Sequence, residues 1–394
     1  MDVKSAFLNG YLNDEVYVDQ PPSYVKKNEE HKVCRLKRAL YGLKQAPRAW
    51  YSRIDTYFEK HEFRKCPYEY TLSIKDLNGK FWFVCLYVYD LIFTGNCPRM
   101  IEEFKHSMKK EFEMTDMWHL HYFLGIEVKQ IGDGIAISQK KHALEVLKRF
   151  MMLEANPCST PMEFGLKLAK EPKEGKVNSS IYRSLIIGYT TRHLVHRKHA
   201  KQVHGIADQS HWEAGKRVLR YIKGTFDHGI LYKQVETPRL IAYCDSDYGG
   251  SIDDSQSISG YVFSFGSGMI SWQSKKQKVV ALSSAEAEYM SITLVGCQAI
   301  WMRGILKELK HPQEKPTVIY CDNKSAIALT KNPVYHGKNK HVRIKYHFIR
   351  ELVSHGEVEV IFCKSNDQAA DVLTKALKIG DFVKMKDKLG VIQV

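Results

Sequence analysis

The alternation of apolar and polar positions is most regular from residue 239 onward. Residues 240–244 form an apolar run that ends in Asp245, and residues 261–265 and 269–272 read as short strands around the turn Gly266-Ser267-Gly268. Ser283 and Glu286 stand at the spacing of a capping box and open a helix that the pattern carries to about Leu309. A strand over 317–321 ends in Asp322, and 324–330 starts a helix. Val342, Tyr346, Ile349 and Val353 share one face of another helix, a strand follows over 358–363, and a last helix begins near Gln368. Three strands, helix, strand, helices, strand, helix: this order predicts an α/β layer with a mixed sheet.

Upstream the pattern is patchier. Two β-rich apolar runs, 81–88 and 91–93, flank Tyr89-Asp90 and predict a hairpin. A helix over 211–224 places Lys216, Arg220 and Lys223 on one side and Val218, Leu219 and Ile222 elsewhere, so it either tracks a phosphate backbone or presents a solvated face. Residues 156–161 carry turn chemistry, and 167–180 are charged with little apolar content, so both read as breaks. Between Thr190 and His204 periodicity disappears. His193, His196, His199 and His204 lie in that stretch without the acidic partners or cysteines that would argue a metal site.

Composition narrows the partners. At 394 residues the chain has room for two or three domains, and with 44% hydrophobic residues most of it should fold. The formal net charge of +15 favours a polyanionic partner, nucleic acid first. Nine scattered cysteines without a CxxC pair indicate neither a disulfide framework nor a zinc site, and fit a reduced intracellular compartment. The longest apolar run, 81–89, is too short to span a bilayer, and the charged opening lacks the apolar core of a signal peptide. No membrane association is expected.

Four acids fall where the predicted layout can gather them. Asp245 and Asp322 end two strands, Glu288 lies early in the long helix, and Asp371 lies near the start of the last one. Four carboxylates around one cleft repel one another unless divalent cations join them, and a Mg²⁺ pair about 4 Å apart is the arrangement that cleaves phosphodiesters. A single aspartate at a strand end is more often a turn residue, so the inference rests on the set.

Here the sequence becomes specific. Tyr243-Cys244-Asp245-Ser246-Asp247, Ser283-Ser284-Ala285-Glu286-Ala287-Glu288-Tyr289, Tyr320-Cys321-Asp322-Asn323-Lys324-Ser325-Ala326 and Asp367-Gln368-Ala369-Ala370-Asp371-Val372-Leu373-Thr374-Lys375 resemble the successive ribonuclease H motifs of copia-type retrotransposon Pol proteins. Lys340-His341 and Tyr346-His347-Phe348-Ile349-Arg350-Glu351 fit the same pattern. The resemblance implies that Asp245, Glu288, Asp322 and Asp371 are catalytic acids holding Mg²⁺ or Mn²⁺, with Glu288 preferred over Glu286. The loop 364–367 lacks the histidine that many ribonucleases H carry before the last acid.

The first half resembles the reverse transcriptase of the same family. Met1-Asp2-Val3-Lys4-Ser5-Ala6-Phe7-Leu8-Asn9-Gly10 is similar to its first catalytic motif. Leu40-Tyr41-Gly42-Leu43-Lys44-Gln45-Ala46-Pro47-Arg48-Ala49-Trp50 is similar to the motif that positions template and nucleotide, and His121-Tyr122-Phe123-Leu124-Gly125-Ile126-Glu127 to the primer grip. The resemblance implies metal-binding roles for Asp2 and Asp90 and nucleic-acid contacts for Lys44, Gln45 and Arg48, beside those of Lys216, Arg220 and Lys223. It covers most of 1–377. Two departures stand out. The family's hairpin carries two adjacent aspartates where this chain has Tyr89-Asp90, and a phenol is a poor ligand for a hard cation; Asp90 reads equally well as a plain turn acid. The fingers that precede the first motif in the family are not in this sequence, and a shifted frame would explain the aperiodic stretch 190–204.

The expected architecture is therefore α+β and α/β multidomain: a truncated reverse-transcriptase palm and thumb-like region over 1–150, a connection over 151–238, a ribonuclease H-like mixed-sheet domain over 239–378 and a tail over 379–394. The expected partners are RNA–DNA hybrid and template–primer, with Mg²⁺ or Mn²⁺ and no other cofactor. The expected setting is cytoplasmic, in a virus-like particle, or nuclear. The polymerase site should be silent and the ribonuclease H site competent. The rivals are a catalytically silent nucleic-acid-binding remnant of a decayed element and a product that does not fold stably.

Overall fold

The computed structural model describes residues 1–132, 134–166, 168–169, 177–190, 208–331 and 348–394. The four histidines between 193 and 204, and Lys340, His341, Val342, Tyr346 and His347, lie outside the described residues. The chain divides into two units, Met1–Leu120 with Gly304–Pro312, and His121–Arg303 with Gln313–Val394.

The first unit is built on a six-stranded antiparallel sheet in the order Arg64–Lys65, Leu72–Leu77, Lys80–Tyr87, Asp90–Gly95, Asp2–Val3, Met114–Thr115. Two helices, Ala46–Lys60 and Pro98–Glu111, each open with a proline in the first turn, where the missing N–H costs nothing. Trp50, Ile54, Tyr57 and Phe58 from the first and Met100, Phe104 and Met108 from the second follow helical spacing. They share one core with Trp82, Val84 and Leu86, which recur every second residue along their strand. Burying each of these large side chains contributes about 1.5–3 kcal/mol. The predicted hairpin forms with Tyr87 opposite Asp90, so Val88 and Tyr89 are its two-residue loop. Val88 sits at φ 57°, a left-handed position where such loops favour glycine. A β-branched residue there stores strain of about 1–3 kcal/mol. The turn is held in return: the Trp50 indole N–H donates to the Val88 carbonyl at 2.5 Å and the Val3 amide to that of Tyr89 at 3.0 Å.

The second unit contains two sheets. One is antiparallel, in the order Val391–Gln393, His228–Lys233, Gly134–Ser138, Ile126–Ile131, Tyr122–Phe123. Residues 122–138, placed with the palm and thumb-like region in the sequence analysis, belong to this sheet, where Gly134–Ser138 pairs with His228–Lys233. Three helices, Lys140–Arg149, Ser179–Thr190 and Gln209–Thr225, share a core of Val146, Leu147, Tyr182, Leu185, Val218, Leu219 and Ile222. Asp208 caps the third, accepting from the His211 amide at 3.0 Å.

The other sheet comprises β1 (Leu240–Ser246), β2 (Ile258–Phe265), β3 (Gly268–Lys276), β4 (Thr317–Cys321) and β5 (Val358–Phe362), in the order β3-β2-β1-β4-β5. β1, β4 and β5 run parallel and the others antiparallel, so the sheet is mixed as expected. The helix α1 (Ser284–Glu308) follows β3 and α2 (Lys324–Lys331) follows β4. Along α1, Ile292, Val295, Ala299, Met302 and Leu306 are all buried at helical spacing. β3 outruns the predicted 269–272 because its second half, Gln273 to Lys276, is polar and gives no apolar signal.

One element differs in kind. The helix expected near Gln368 is instead two short 3₁₀ turns, Ser365–Asp367 and Ala369–Leu373. Gln368 between them is extended, and its side-chain amide donates to the Cys244 carbonyl at 2.8 Å while its oxygen accepts from the Ala370 amide. An α-helix through this point would forfeit that anchor. The residues read as a tail form the helix Ile379–Lys388 and the strand Val391–Gln393.

Candidate active site

The register of the parallel pair β1 and β4 brings the first two acids together. Tyr243 lies opposite Tyr320, so Asp245 and Asp322, each two residues further on, reach the same sheet end. α1 delivers the third. Its first turn is capped as the spacing predicts, with the Glu286 amide donating to Ser283 Oγ at 3.1 Å; the Glu286 carboxylate accepts from the Leu282 amide at 2.8 Å. Glu286 is thereby spent on the cap, and Glu288 is the acid that turns inward. Ser291, one turn later, donates to the Asp245 carbonyl at 3.0 Å and ties the helix to β1. Asp371 arrives on the second 3₁₀ turn.

The outcome is one cluster. Carboxylate oxygens of Asp245, Asp322 and Asp371 lie within 4.8 Å of one another, and Glu288, Cys321 and Asp322 form an overlapping group at the same separation. Asp245, Glu288 and Asp371 are buried and Asp322 is half-buried. Burial, followed by the charges of Asp245, Cys321 and Asp322, pushes the Glu288 carboxyl up to about 11, so it carries its proton at neutral pH. Burial and then Asp245 push Asp371 up to about 7, against the pull of Lys375.

Several supporting groups gave no sequence signal of their own. Ser365 Oγ donates to Asp322 Oδ2 at 2.8 Å, and the Thr374 hydroxyl donates to Asp245 Oδ2. The Lys375 ammonium lies 2.9 Å from Asp371 Oδ1, outside hydrogen-bond alignment, and 3.6 Å from Asp245 Oδ1. Gly260 makes the Thr374 contact possible. It stands opposite Asp245 on β2, and a Cβ there would fall 2.7 Å from Thr374 Cγ2 and 2.9 Å from Leu373 Cβ. Thr374 and Lys375 follow Asp371 by three and four residues, which was the available clue. Three carboxylates with oxygens within 4.8 Å of one another offer an all-oxygen donor set that suits a hard divalent cation such as Mg²⁺ or Mn²⁺.

The palm gathers less. Asp2 and Asp90 are directly opposed on antiparallel strands, and burial followed by the charge of Asp2 raises the Asp90 carboxyl. Tyr89 is exposed on the loop. Neither aspartate belongs to a three-ligand group among the described residues. Lys44, Gln45 and Arg48 are exposed, and the last two line an open groove of about 740 Å³ with Arg53 and Lys60. On Gln209–Thr225, Lys216 lies over the Trp212 ring and Lys223 over Phe226, while Arg220 Nε donates to the Asn156 carbonyl at 2.8 Å. Arg220 thus holds the connecting segment as well as facing solvent.

Comparison with known proteins fixes the lineage. The reverse transcriptase (RNA-dependent DNA polymerase) family matches residues 1–164. The Pol polyprotein of transposon RE2 from Arabidopsis thaliana is 40% identical over 100% of this chain, and that of transposon TNT 1-94 from Nicotiana tabacum is 36% identical over 99%. The chain belongs to the copia-type retrotransposon Pol family. It spans 28% and 30% of those two polyproteins, so this copia-type chain corresponds to a part of them. An uncharacterized mitochondrial protein of Arabidopsis thaliana is 32% identical over 56% of the chain and 93% of its own length. Likeness to solved structures is remote: a foamy viral protease-reverse transcriptase in complex with dsDNA aligns over 91% of this chain and 70% of its own at TM-score 0.46 and 10% identity. The copia-type chain carries a reverse transcriptase domain over residues 1–164, and a five-stranded mixed sheet follows it.

Proposed function

We propose that the C-terminal part of the chain, about residues 236 to 378, hydrolyses the RNA strand of RNA–DNA hybrids with Mg²⁺ or Mn²⁺. The observation that carries this reading is the convergence of Asp245, Asp322 and Asp371 within 4.8 Å, with Glu288 beside them. Divalent cations bound there would supply charge neutralisation and an activated water for in-line attack on a phosphodiester. The protein's own share is to hold the three aspartates in place through Thr374, Ser365, Ser291 and Gln368, with Glu288 beside them as the fourth acid of the set. The +15 charge supports binding of the polyanionic hybrid through phosphate contacts. Asp322→Asn should lower hybrid cleavage about a hundredfold or more while hybrid affinity holds. A variant that cuts at the parent rate would remove Asp322 from the site.

We read the palm as inactive in primer extension. Tyr89 stands beside Asp90 where a second carboxylate would complete the set with Asp2, and a neutral phenol does not replace it. Primer extension with Mn²⁺ checks this directly: robust synthesis by the unmodified chain overturns it. Tyr89→Asp should restore Mn²⁺ binding at the palm.

A further inference from the structure

The carboxylate cluster already contains a cation. Lys375 follows Asp371 by four residues, just past the 3₁₀ turn, and its ammonium approaches Asp371 Oδ1 at 2.9 Å and Asp245 Oδ1 at 3.6 Å. These carboxylates belong to the group whose oxygens lie within 4.8 Å of one another. The other oxygen of Asp245 is engaged by the Thr374 hydroxyl, so Oδ1 is its open lobe, and Lys375 takes it. Burial works against the lysine's charge, but Asp245, Asp371 and Asp322 outweigh it and hold the ammonium charged. Its side chain is 42% exposed, against 2% and 9% for the two aspartates, so the ammonium lies at the mouth of the cluster with a path to solvent.

We propose that Lys375 is an internal counter-cation that balances the cluster before metal binds and is displaced to solvent when a divalent cation enters. This rests on the proposal that the cluster takes Mg²⁺ or Mn²⁺. A divalent ion seated among carboxylates that close together cannot share Asp245 Oδ1 and Asp371 Oδ1 with an ammonium at contact distance, since like charges repel strongly where water is scarce. The lysine therefore acts as a positioning residue. It steadies the aspartates during folding and sets how much free cation is needed to load the site.

Two measurements on the full chain test this. The first labels surface amines of the parent protein with an acylating reagent, in EDTA and in Mn²⁺, and reads the Lys375 peptide by mass spectrometry. Labelling of Lys375 should be several-fold faster with Mn²⁺, as the freed ammonium reaches solvent. The second titrates Mn²⁺ by calorimetry into the parent, Lys375→Gln, Lys375→Arg and Asp322→Asn proteins. Lys375→Gln should bind about tenfold tighter or more, with a lower melting temperature in EDTA, while Lys375→Arg stays near the parent in both. If the parent binds Mn²⁺ in a manner lost in Asp322→Asn, yet Lys375 labels equally with and without the ion and Lys375→Gln binds no tighter, the counter-cation role falls and the metal site stands. If parent, Asp322→Asn and Lys375→Gln bind equally weakly, the metal site falls and the displacement with it. Should Lys375→Gln fail to fold, the labelling of the parent decides alone.

Discussion

The first unit and the C-terminal mixed sheet meet the same electrostatic problem with different resources. In the first unit, two aspartates face each other across one strand pair, and burial followed by the charge of Asp2 raises the Asp90 carboxyl. In the C-terminal sheet, four acids from two strands, a helix and a 3₁₀ turn converge, and two are driven to about 7 and about 11. The second site is supported on every side, by Thr374, Ser365, Ser291 and Lys375. The first has its loop pinned by Trp50 and Val3 and the Met1 ammonium acting on Asp90, but among the described residues its two aspartates belong to no three-ligand group.

The sharpest break in this comparison comes from substituting equivalent acids. Asp245→Asn should reduce hybrid cleavage about a hundredfold or more, whereas Asp90→Asn should leave it unchanged within error. Equal losses in a steady-state cleavage assay would show that the palm acids serve the same chemistry. A smaller effect tests the support rather than the ligand. Gly260→Ala places a methyl against Thr374 and Leu373 and should cost about 1–3 kcal/mol in chemical denaturation, with a matching loss of metal affinity. Unchanged stability would mean that the Thr374 turn has room to move.

The raised carboxyls give a pH signature. Glu288 rises from 4.5 to about 11 and Asp371 from 3.8 to about 7, so the folded state keeps protons that the unfolded chain releases. Their contribution is complete below the unfolded values and is lost as pH rises, between about 4 and 7 for Asp371 and onward toward 11 for Glu288. In EDTA the melting temperature should therefore fall from pH 5 to pH 9, and Glu288→Gln should flatten that slope. A slope unaltered by the substitution would assign the titration elsewhere. The smallest expected effect lies in the palm. Trp50→Phe removes the indole donor to Val88 and should cost about 1 kcal/mol, without change in hybrid cleavage.

Much of this was legible in the chain itself. The strands β1, β4 and β5, the cap at Ser283 and Glu286, and the existence of the hairpin all follow from apolar period and short-range chemistry, though its loop is Val88-Tyr89, one residue before the expected Tyr89-Asp90. Placing Asp245 and Asp322 at one sheet end needed only that their strands be parallel neighbours. What stayed hidden depends on tertiary contact. The 3₁₀ path through Gln368 is set by a hydrogen bond to a strand 124 residues earlier, which no local propensity announces. The role of Gly260 exists only because Leu373 and Thr374 approach it from the far end of the domain. The polar half of β3 is a strand by pairing with β2 rather than by composition.

The strand Val391–Gln393 has a consequence for how the chain is made. It forms the edge beside His228–Lys233, with Ile230 opposite Val391, and Gln393 also bonds to Asp227. A ribosome adding about 5–20 residues per second finishes His228–Lys233 roughly ten to thirty seconds before it supplies the partner. Throughout that interval the strand presents unpaired amides and carbonyls to whatever is near, including other nascent chains on the same message. A stop codon shortly before Val391 would make the exposure permanent, so loss of a few C-terminal residues should send the product toward aggregation while every acid of the cluster is still encoded.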